Sequence, residues 1–562
     1  MKHTEKTSWF EKAVCIAQSC TQLMEFAIVD GLLQPRVFRT KIGQRLRQVI
    51  HASRIDKIRR PIVSLTERRN ALNFKPRSQF QRLESAPGGV YFNELPNFGE
   101  LMDDGRFDEA FKLARHGWQR RIAKQAMANM QVCAVPSVPL PDRSSMARHQ
   151  APRVLFLITN SYPFTQSGYA VRTHSLLQAM QDSGVYVEAM TRFGYPAIVG
   201  KPIFRRTQIV DGIAYHRMLD WRFPLSVQKV QQRAVAAVVE HARAMGATHI
   251  HTTTDFHNAA VASAAAVQLG IPWIYEVRGE ATETWVSGVE YPRDEYRNKS
   301  WRAIEARKLE ASAVEAASGA VFLSEVSRQH FQSLVETMPP SVLVPNSISE
   351  TDAEESRQIL QQMLQAKQDE TVTASVRSLR RDAARQELGG FEEFNTWVGS
   401  VSAIVDYEGF ETLIESLKYL DDDVAVLLVG GGSARGRLEE LARSLGVSHR
   451  VRFAGVQPFS EINKWYEALD AFVIPRRNQT VCRRVTPIKA QKAMALGVPV
   501  IASDLPALRE VTGGNATYFT AGDVFRFSEA VGESKSQDIA RSMRWIQGQV
   551  WKASVERLIN FY

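Results

Sequence analysis

From residue 154 onward, short continuous apolar runs alternate with amphipathic stretches. The run "VLFLITN" is apolar throughout and ends in polar residues, the pattern of a strand buried on both faces of a parallel sheet. "GYAVRTHSLLQAMQDSG" then carries apolar residues at helical spacing and closes on Gly184. "VYVEAMT", "ATHIHTTT", "PWIYEVRG", "GAVFLS" and "SVLVPN" predict further strands, with helical patterns between them. After a charged, weakly apolar stretch the texture restarts with "NTWVGSVS", "VAVLLVGGG", "VRFAGV", "AFVIPR", "PVIAS" and "ATYFT". Strands that alternate with helices predict doubly wound α/β sheets. Two such blocks in succession predict two domains facing a cleft.

The organisation expected is therefore a basic, mostly helical region at 1–133 and a Pro/Ser-rich linker at 134–153. The first α/β domain follows at 154–349, a charged helical connection at 350–390 and the second α/β domain at 391–545. A closing helix at 546–562 completes the chain, its pattern marked by Ile539, Met543, Ile546, Val550 and Val555. Within 96–132, Phe107, Ala110, Phe111 and Ala114 recur at helical spacing and resemble a single tetratricopeptide-type helix–turn–helix. One copy cannot build a solenoid, because stacking needs several repeats.

Composition narrows the class. A chain of 562 residues exceeds a single core. Its 44% hydrophobic and 23% charged residues are those of a globular protein. No apolar run approaches the length of a membrane span. The first 20 residues carry scattered charges and no long apolar core, so no secretion signal is expected. Four cysteines (Cys15, Cys20, Cys133 and Cys482) show neither a CxxC pair nor a Cys/His cluster. A reducing cytoplasm is the expected compartment. Residues 1–80 hold 16 Lys and Arg against six Asp and Glu, which is the whole net charge of +10. That segment is either a solvated helical face or a contact for anionic lipid at the inner face of a membrane. No nucleic-acid module accompanies it, so lipid ranks above nucleic acid.

Several motifs carry chemistry. Gly430, Gly431 and Gly432 stand between a strand and a helix, where backbone N–H groups can hold phosphate or simply make a tight turn. Ser167 and Gly168 follow the first strand of the first domain, and His174 lies in the next helix. "YEVRGEATETW" brings Glu276, Arg278, Glu280 and Glu283 to a strand end, the usual place for reacting groups in these folds. "IPRRNQTVCRRVTPIK" holds Arg476, Arg477, Arg483, Arg484 and Lys489, cations suited to phosphate if the loop faces a cleft.

Taken in order, "GYAVRTHSLLQAM", "YEVRG", "VLVPNSI", "WVGSVSAIVDYEGFETLI", "LVGGGSARGRLEELARSLG", "VRFAGV" and "VTPIKAQKAMALGVPVIASD" resemble the family-4 retaining glycosyltransferases of the GT-B fold. The resemblance covers about 154–562, and within the family it points to the subgroup with a TPLKPLEAM motif. It implies transfer of a sugar from a nucleotide-sugar donor to a glycan or lipid-linked acceptor, with no cofactor and no metal. It also implies Ser167, Gly168, Val456, Thr486 and Lys489 near the donor and Arg278 in the catalytic cleft; the motif positions themselves add Gly431 and Gly432 on the donor side, and Glu280 and His174 near the reacting bonds.

The departures are informative. Where the family carries an Arg and a Lys for the diphosphate, this chain has Ser400 and Glu408. Where it carries paired glutamates, this chain has Arg483 or Arg484 and Lys492. A lysine has no acceptor for a ribose hydroxyl. Two readings stay open from sequence. One is an active enzyme whose anion clamp is rebuilt from Arg476, Arg477, Arg483 and Arg484. The other is a catalytically degenerate relative that binds ligand or partner without turnover.

Overall fold

The computed structural model describes residues 96–135, 151–201, 203–220, 224, 226–289, 292–368 and 375–562. The basic segment 1–80 and most of the 134–153 linker lie outside them.

The apolar runs become the strands of two sheets. The first contains β1 (Arg153–Ile158), β2 (Tyr186–Thr191), β3 (Thr207–Val210), β4 (Ile213–Arg217), β5 (His249–Thr253), β6 (Trp273–Val277), β7 (Gly319–Phe322) and β8 (Ser341–Leu343). Their order is β3-β4-β2-β1-β5-β6-β7-β8, parallel except for the β3–β4 hairpin. That hairpin is absent from the sequence expectation. Its signal is the Asp211–Gly212 pair, whose positive φ values of 49° and 84° make the tight turn. The second sheet contains β9 (Thr396–Val401), β10 (Val424–Val429), β11 (Val451–Gly455), β12 (Ala471–Ile474), β13 (Val500–Ser503) and β14 (Thr517–Phe519). Its order, β11-β10-β9-β12-β13-β14, is the doubly wound Rossmann arrangement, and all its neighbours are parallel.

Each sheet is buried on both faces. One face of the first sheet packs Leu155, Leu157, Val238 and Ala262 together. The other packs Phe156, Leu176 and Leu177 with Trp551, Val555 and Leu558. The last three belong to the helix Trp551–Phe561. The C-terminal pattern is thus two helices rather than one. Ile539–Gln547 packs on the second domain, Gly548–Val550 interrupts it, and Trp551–Phe561 crosses back to the first sheet.

Two further expectations need correction. The 96–132 segment holds three helices, Phe98–Asp103, Phe107–Leu113 and Gly117–Gln131, not one helix–turn–helix. Phe107, Ala110 and Ala114 are buried while Phe111 is exposed. The 350–390 stretch is not merely a connection. Its helices, Glu350–Gln368 and Val376–Leu388, place Ala353, Ile359, Leu360 and Ala384 in the core of the second domain. Sparse apolar residues suffice because they fall on one helical face. Among the described residues no helix is long and apolar enough to cross a membrane.

Candidate functional site

The second sheet changes winding direction between β9 and β12, and ligands of such sheets bind at the carboxyl ends beside that point. Glu408 follows β9 and Arg476 follows β12; both are buried. Gly409 lets these two segments touch, because its φ is 72° and a Cβ there would overlap the carbonyl of Pro475. Arg476 donates to Glu408 through Nη2 at 3.2 Å and to the carbonyl of Val485 through Nη1 at 2.7 Å. Lys489 opens the helix Lys489–Ala495 and donates to Glu408 Oε1 at 2.9 Å and to Ser402 Oγ. Burial alone would raise the Glu408 carboxyl, but Arg476 and Lys489 hold it down at about 2. The trio therefore carries one net positive charge.

The first domain meets this cluster from the opposite side. Ser167 caps the helix Gly168–Asp182, its Oγ accepting from the Ala170 N–H. A Cβ on Gly168 would stand 3.7 Å from Ile488 Cδ1, so the two domains touch here. Tyr169 was not picked out by sequence, although it lies in the same quoted stretch. A Cβ on Gly279 would overlap its hydroxyl, so the half-exposed ring lies against the loop after β6. Arg278 follows β6 and is fixed by Glu276 at 2.6 Å and by Thr173 Oγ1. Glu276 also accepts from Arg172 at 2.5 Å. Burial opposes the charge on Glu276, yet Arg278 and Arg172 hold its carboxyl well below the usual range.

Glu280 spans the domains. Its Oε2 accepts from Arg484 Nη1 at 2.9 Å, and Oε1 is buried with no donor. Burial outweighs Arg484 and pushes this carboxyl up to about 7. Arg484 also donates to His330 Nε2 at 2.9 Å. Burial first, then Arg484, lowers the His330 pKa to about 4, so the ring is neutral and can accept. Thr486 is buried nearby, its Oγ1 without a partner.

The four arginines do not converge into one clamp. Arg476 serves Glu408, Arg477 donates to Glu411 at 2.5 Å, and Arg484 reaches Glu280. Arg483 turns outward to Asn478 at 3.1 Å, so it does not belong to the cluster. The short helix Thr480–Arg484 sends consecutive side chains about 100° apart, which separates Arg483 from Arg484. Lys492 leaves the cluster too, donating to Asp352 at 2.6 Å on the helix Glu350–Gln368. His174 is engaged on both ring nitrogens, 2.8 Å from the Tyr215 hydroxyl and 3.0 Å from Asp211 Oδ2, all within the first domain. Gly431 and Gly432 pack against the loop after β9, where a Cβ on Gly432 would overlap the Ile404 carbonyl. Val456 is 81% exposed at the end of β11, beside Gly431.

Residues 167–347 match the family described as "Glycosyl transferase 4-like domain", and residues 395–534 match "Glycosyl transferases group 1". Together the matches take in more than half of the chain. The chain belongs to the GT-B glycosyltransferases.

Among curated relatives, the D-inositol 3-phosphate glycosyltransferase of Corynebacterium diphtheriae is 27% identical over 179 residues, 29% of this chain and 41% of that protein. The lipopolysaccharide core biosynthesis glycosyltransferase LpsE of Rhizobium meliloti is 34% identical over 136 residues, 24% of this chain and 38% of that one. The chain thus spans about two fifths of the length of the curated relatives it matches. Among solved structures, the sucrose-phosphate synthase of Thermosynechococcus elongatus superposes with a TM-score of 0.55 at 18% identity, covering 73% of this chain and 98% of that one. Anabaena HepE in complex with UDP and glucose gives 0.53 at 15% identity, covering 73% and 99%. At such identities these structures speak for the GT-B fold of this glycosyltransferase chain.

Proposed function

We propose that this chain is a retaining glycosyltransferase. It moves a sugar from a nucleotide-sugar donor to a glycan or lipid-linked acceptor of a bacterial surface polysaccharide, with no metal in the transfer step. The observation that carries the reading is the cationic pair Arg476 and Lys489 at the switch point of the second sheet, opposite Gly168 and Tyr169 of the first domain. A diphosphate in a closed cleft needs such charge-assisted donors. In this reading Lys489 and Arg476 hold the diphosphate, partly relieved of Glu408. Arg278 faces the reacting sugar, and Glu280, titrating near neutrality, exchanges the acceptor proton. Relatives named for lipopolysaccharide core synthesis support the acceptor class.

A second reading has its own observation. Arg484 and Lys492, where the resemblance places glutamates, are both taken up by acids of this chain, Glu280 and Asp352. That favours a degenerate relative that binds a nucleoside diphosphate without turnover. Nucleotide release with UDP-, GDP- and ADP-sugars, with and without EDTA, separates the two. Release that survives EDTA supports the transferase. A strict need for Mg²⁺ or Mn²⁺ removes the metal-free step, and binding without release selects the degenerate reading.

We further propose that residues 1–80 hold the enzyme on an anionic membrane surface, because they carry the whole net charge. Each cation near such a surface contributes about 1 kcal/mol, weakened by salt. Co-sedimentation of the full chain with anionic but not neutral vesicles is expected. Equal binding to both, or preference for RNA, would remove the proposal.

A further inference from the structure

Glu188 on β2, His216 on β4 and His241 on the helix Val227–Met245 converge on one point. Nε2 of His216 lies 2.8 Å, and Nε2 of His241 2.7 Å, from the same oxygen, Glu188 Oε2. The imidazole centroids are 4.0 Å apart. Register explains the meeting. Met190 pairs with His216 across adjacent parallel strands, so Glu188 and His216 share one face of the sheet. The helix Val227–Met245 lies over that face and supplies His241. Tyr215, the residue before His216 on β4, points to the opposite face, where it meets His174 of the helix Gly168–Asp182. The cluster therefore lies across the sheet from the helix that lines the donor cleft, and the proposed transfer does not use it.

The surroundings are those of ligands held in place. Thr207 Oγ1 lies 3.0 Å from His216 Nδ1, and the Tyr186 hydroxyl donates to Glu188 Oε1 at 2.5 Å. Outer hydrogen bonds of this kind orient metal-binding imidazoles and carboxylates. The Thr207 hydroxyl can donate to His216 Nδ1 or accept from it, so it orients the ring in either tautomer. All three side chains are partly buried, with 14–23% of their surface exposed, which leaves an approach for an ion and a water.

We propose that Glu188, His216 and His241 form a three-ligand site for a divalent transition metal, Zn²⁺ foremost. The three candidate ligand atoms lie within 4.8 Å of one another. Two imidazoles and one carboxylate are a donor set that Zn²⁺ takes, with a fourth position for water. Zn–N and Zn–O bonds of about 2.0–2.2 Å place tetrahedral ligand atoms roughly 3.3 Å apart, so binding opens the present contacts by about half an ångström. The ion would tie the helix Val227–Met245 to β2 and β4 as a structural cross-link, outside the transfer step.

The test uses the untagged full chain, stripped with EDTA and moved to metal-free buffer. Calorimetric titration with ZnCl₂ is expected to show one equivalent bound, and Co²⁺ to give a visible absorption band of low coordination number. Zn²⁺ is expected to raise the thermal midpoint. Glu188→Gln and His241→Ala should each weaken Zn²⁺ binding by more than ~10-fold and abolish the thermal response, while His449→Ala changes neither. If either variant folds poorly, the other decides, because His241 lies on the outer helix. Absence of Zn²⁺ binding in the wild type would show two Nε2–H groups sharing Glu188 without a metal and would overturn the site. Binding that persists undiminished in both variants would overturn it too.

Discussion

Lys489 Nζ lies 2.9 Å from Glu408 Oε1, and Arg476 Nη2 reaches the same oxygen at 3.2 Å. A carboxylate that sequence alone places against a diphosphate is thereby bound by two cations, and the excess charge remains positive.

If these cations hold the donor, Lys489→Met should weaken nucleoside diphosphate binding far more than nucleoside binding. Truncating one partner of a buried charge pair costs ~2–5 kcal/mol. Arg483→Ala, whose side chain faces Asn478, should stay within about twofold, ~0.4 kcal/mol. Calorimetry with UDP and uridine, or whichever base binds, checks both. Equal losses for nucleoside and diphosphate would show that Lys489 acts only through packing.

Glu280 sets a pH dependence. Burial raises its carboxyl from 4.5 to about 7, so the fold favours the protonated form. The stability this contributes is complete below pH 4.5 and is lost as pH rises through 7. Glu280→Gln removes the loss. The variant should therefore gain on the wild type by on the order of 2 kcal/mol between pH 4.5 and 7.5. Glu310, also buried and pushed up to about 7, keeps a slope of the same sign in both proteins. Urea midpoints measured across this range test it. A constant offset between the two proteins would show that Arg484 holds Glu280 ionised throughout.

Lys492 and Asp352 pair at 2.6 Å with both side chains about a quarter exposed. Lys492→Glu, which restores the acid of the resembling family, sets two carboxylates together and should lower stability by about 1 kcal/mol. Adding Asp352→Lys should recover it. If the pair does not matter, the double-variant cycle will show no coupling in thermal unfolding.

Leu558 is fully buried between the last helix and the first sheet. Leu558→Ala should cost ~2–5 kcal/mol and lower the unfolding midpoint of the first domain. A change within 1 kcal/mol would mean that the crossing helix contributes little to holding that domain.

The alternation of apolar runs with helical patterns, read locally, was enough to determine two doubly wound α/β domains; the GT-B fold came from the resemblance carried by the ordered motifs. The local reading works because burial on both faces of a parallel sheet writes itself into consecutive residues. The motif order was equally legible, as was the presence of cations in 476–492. What those cations do was decided only in three dimensions. Lys489 meets Glu408 across 81 residues, Lys492 meets Asp352 across 140, and Arg484 meets Glu280 across 204. No local period records such pairings, since an ion pair depends on where helices and strand ends are carried by the packing of the whole sheet. The Glu188–His216–His241 cluster is of the same kind. Its members lie on two strands and a helix, and only the register of β2 against β4 and the helix laid over them bring three ligand atoms to one point.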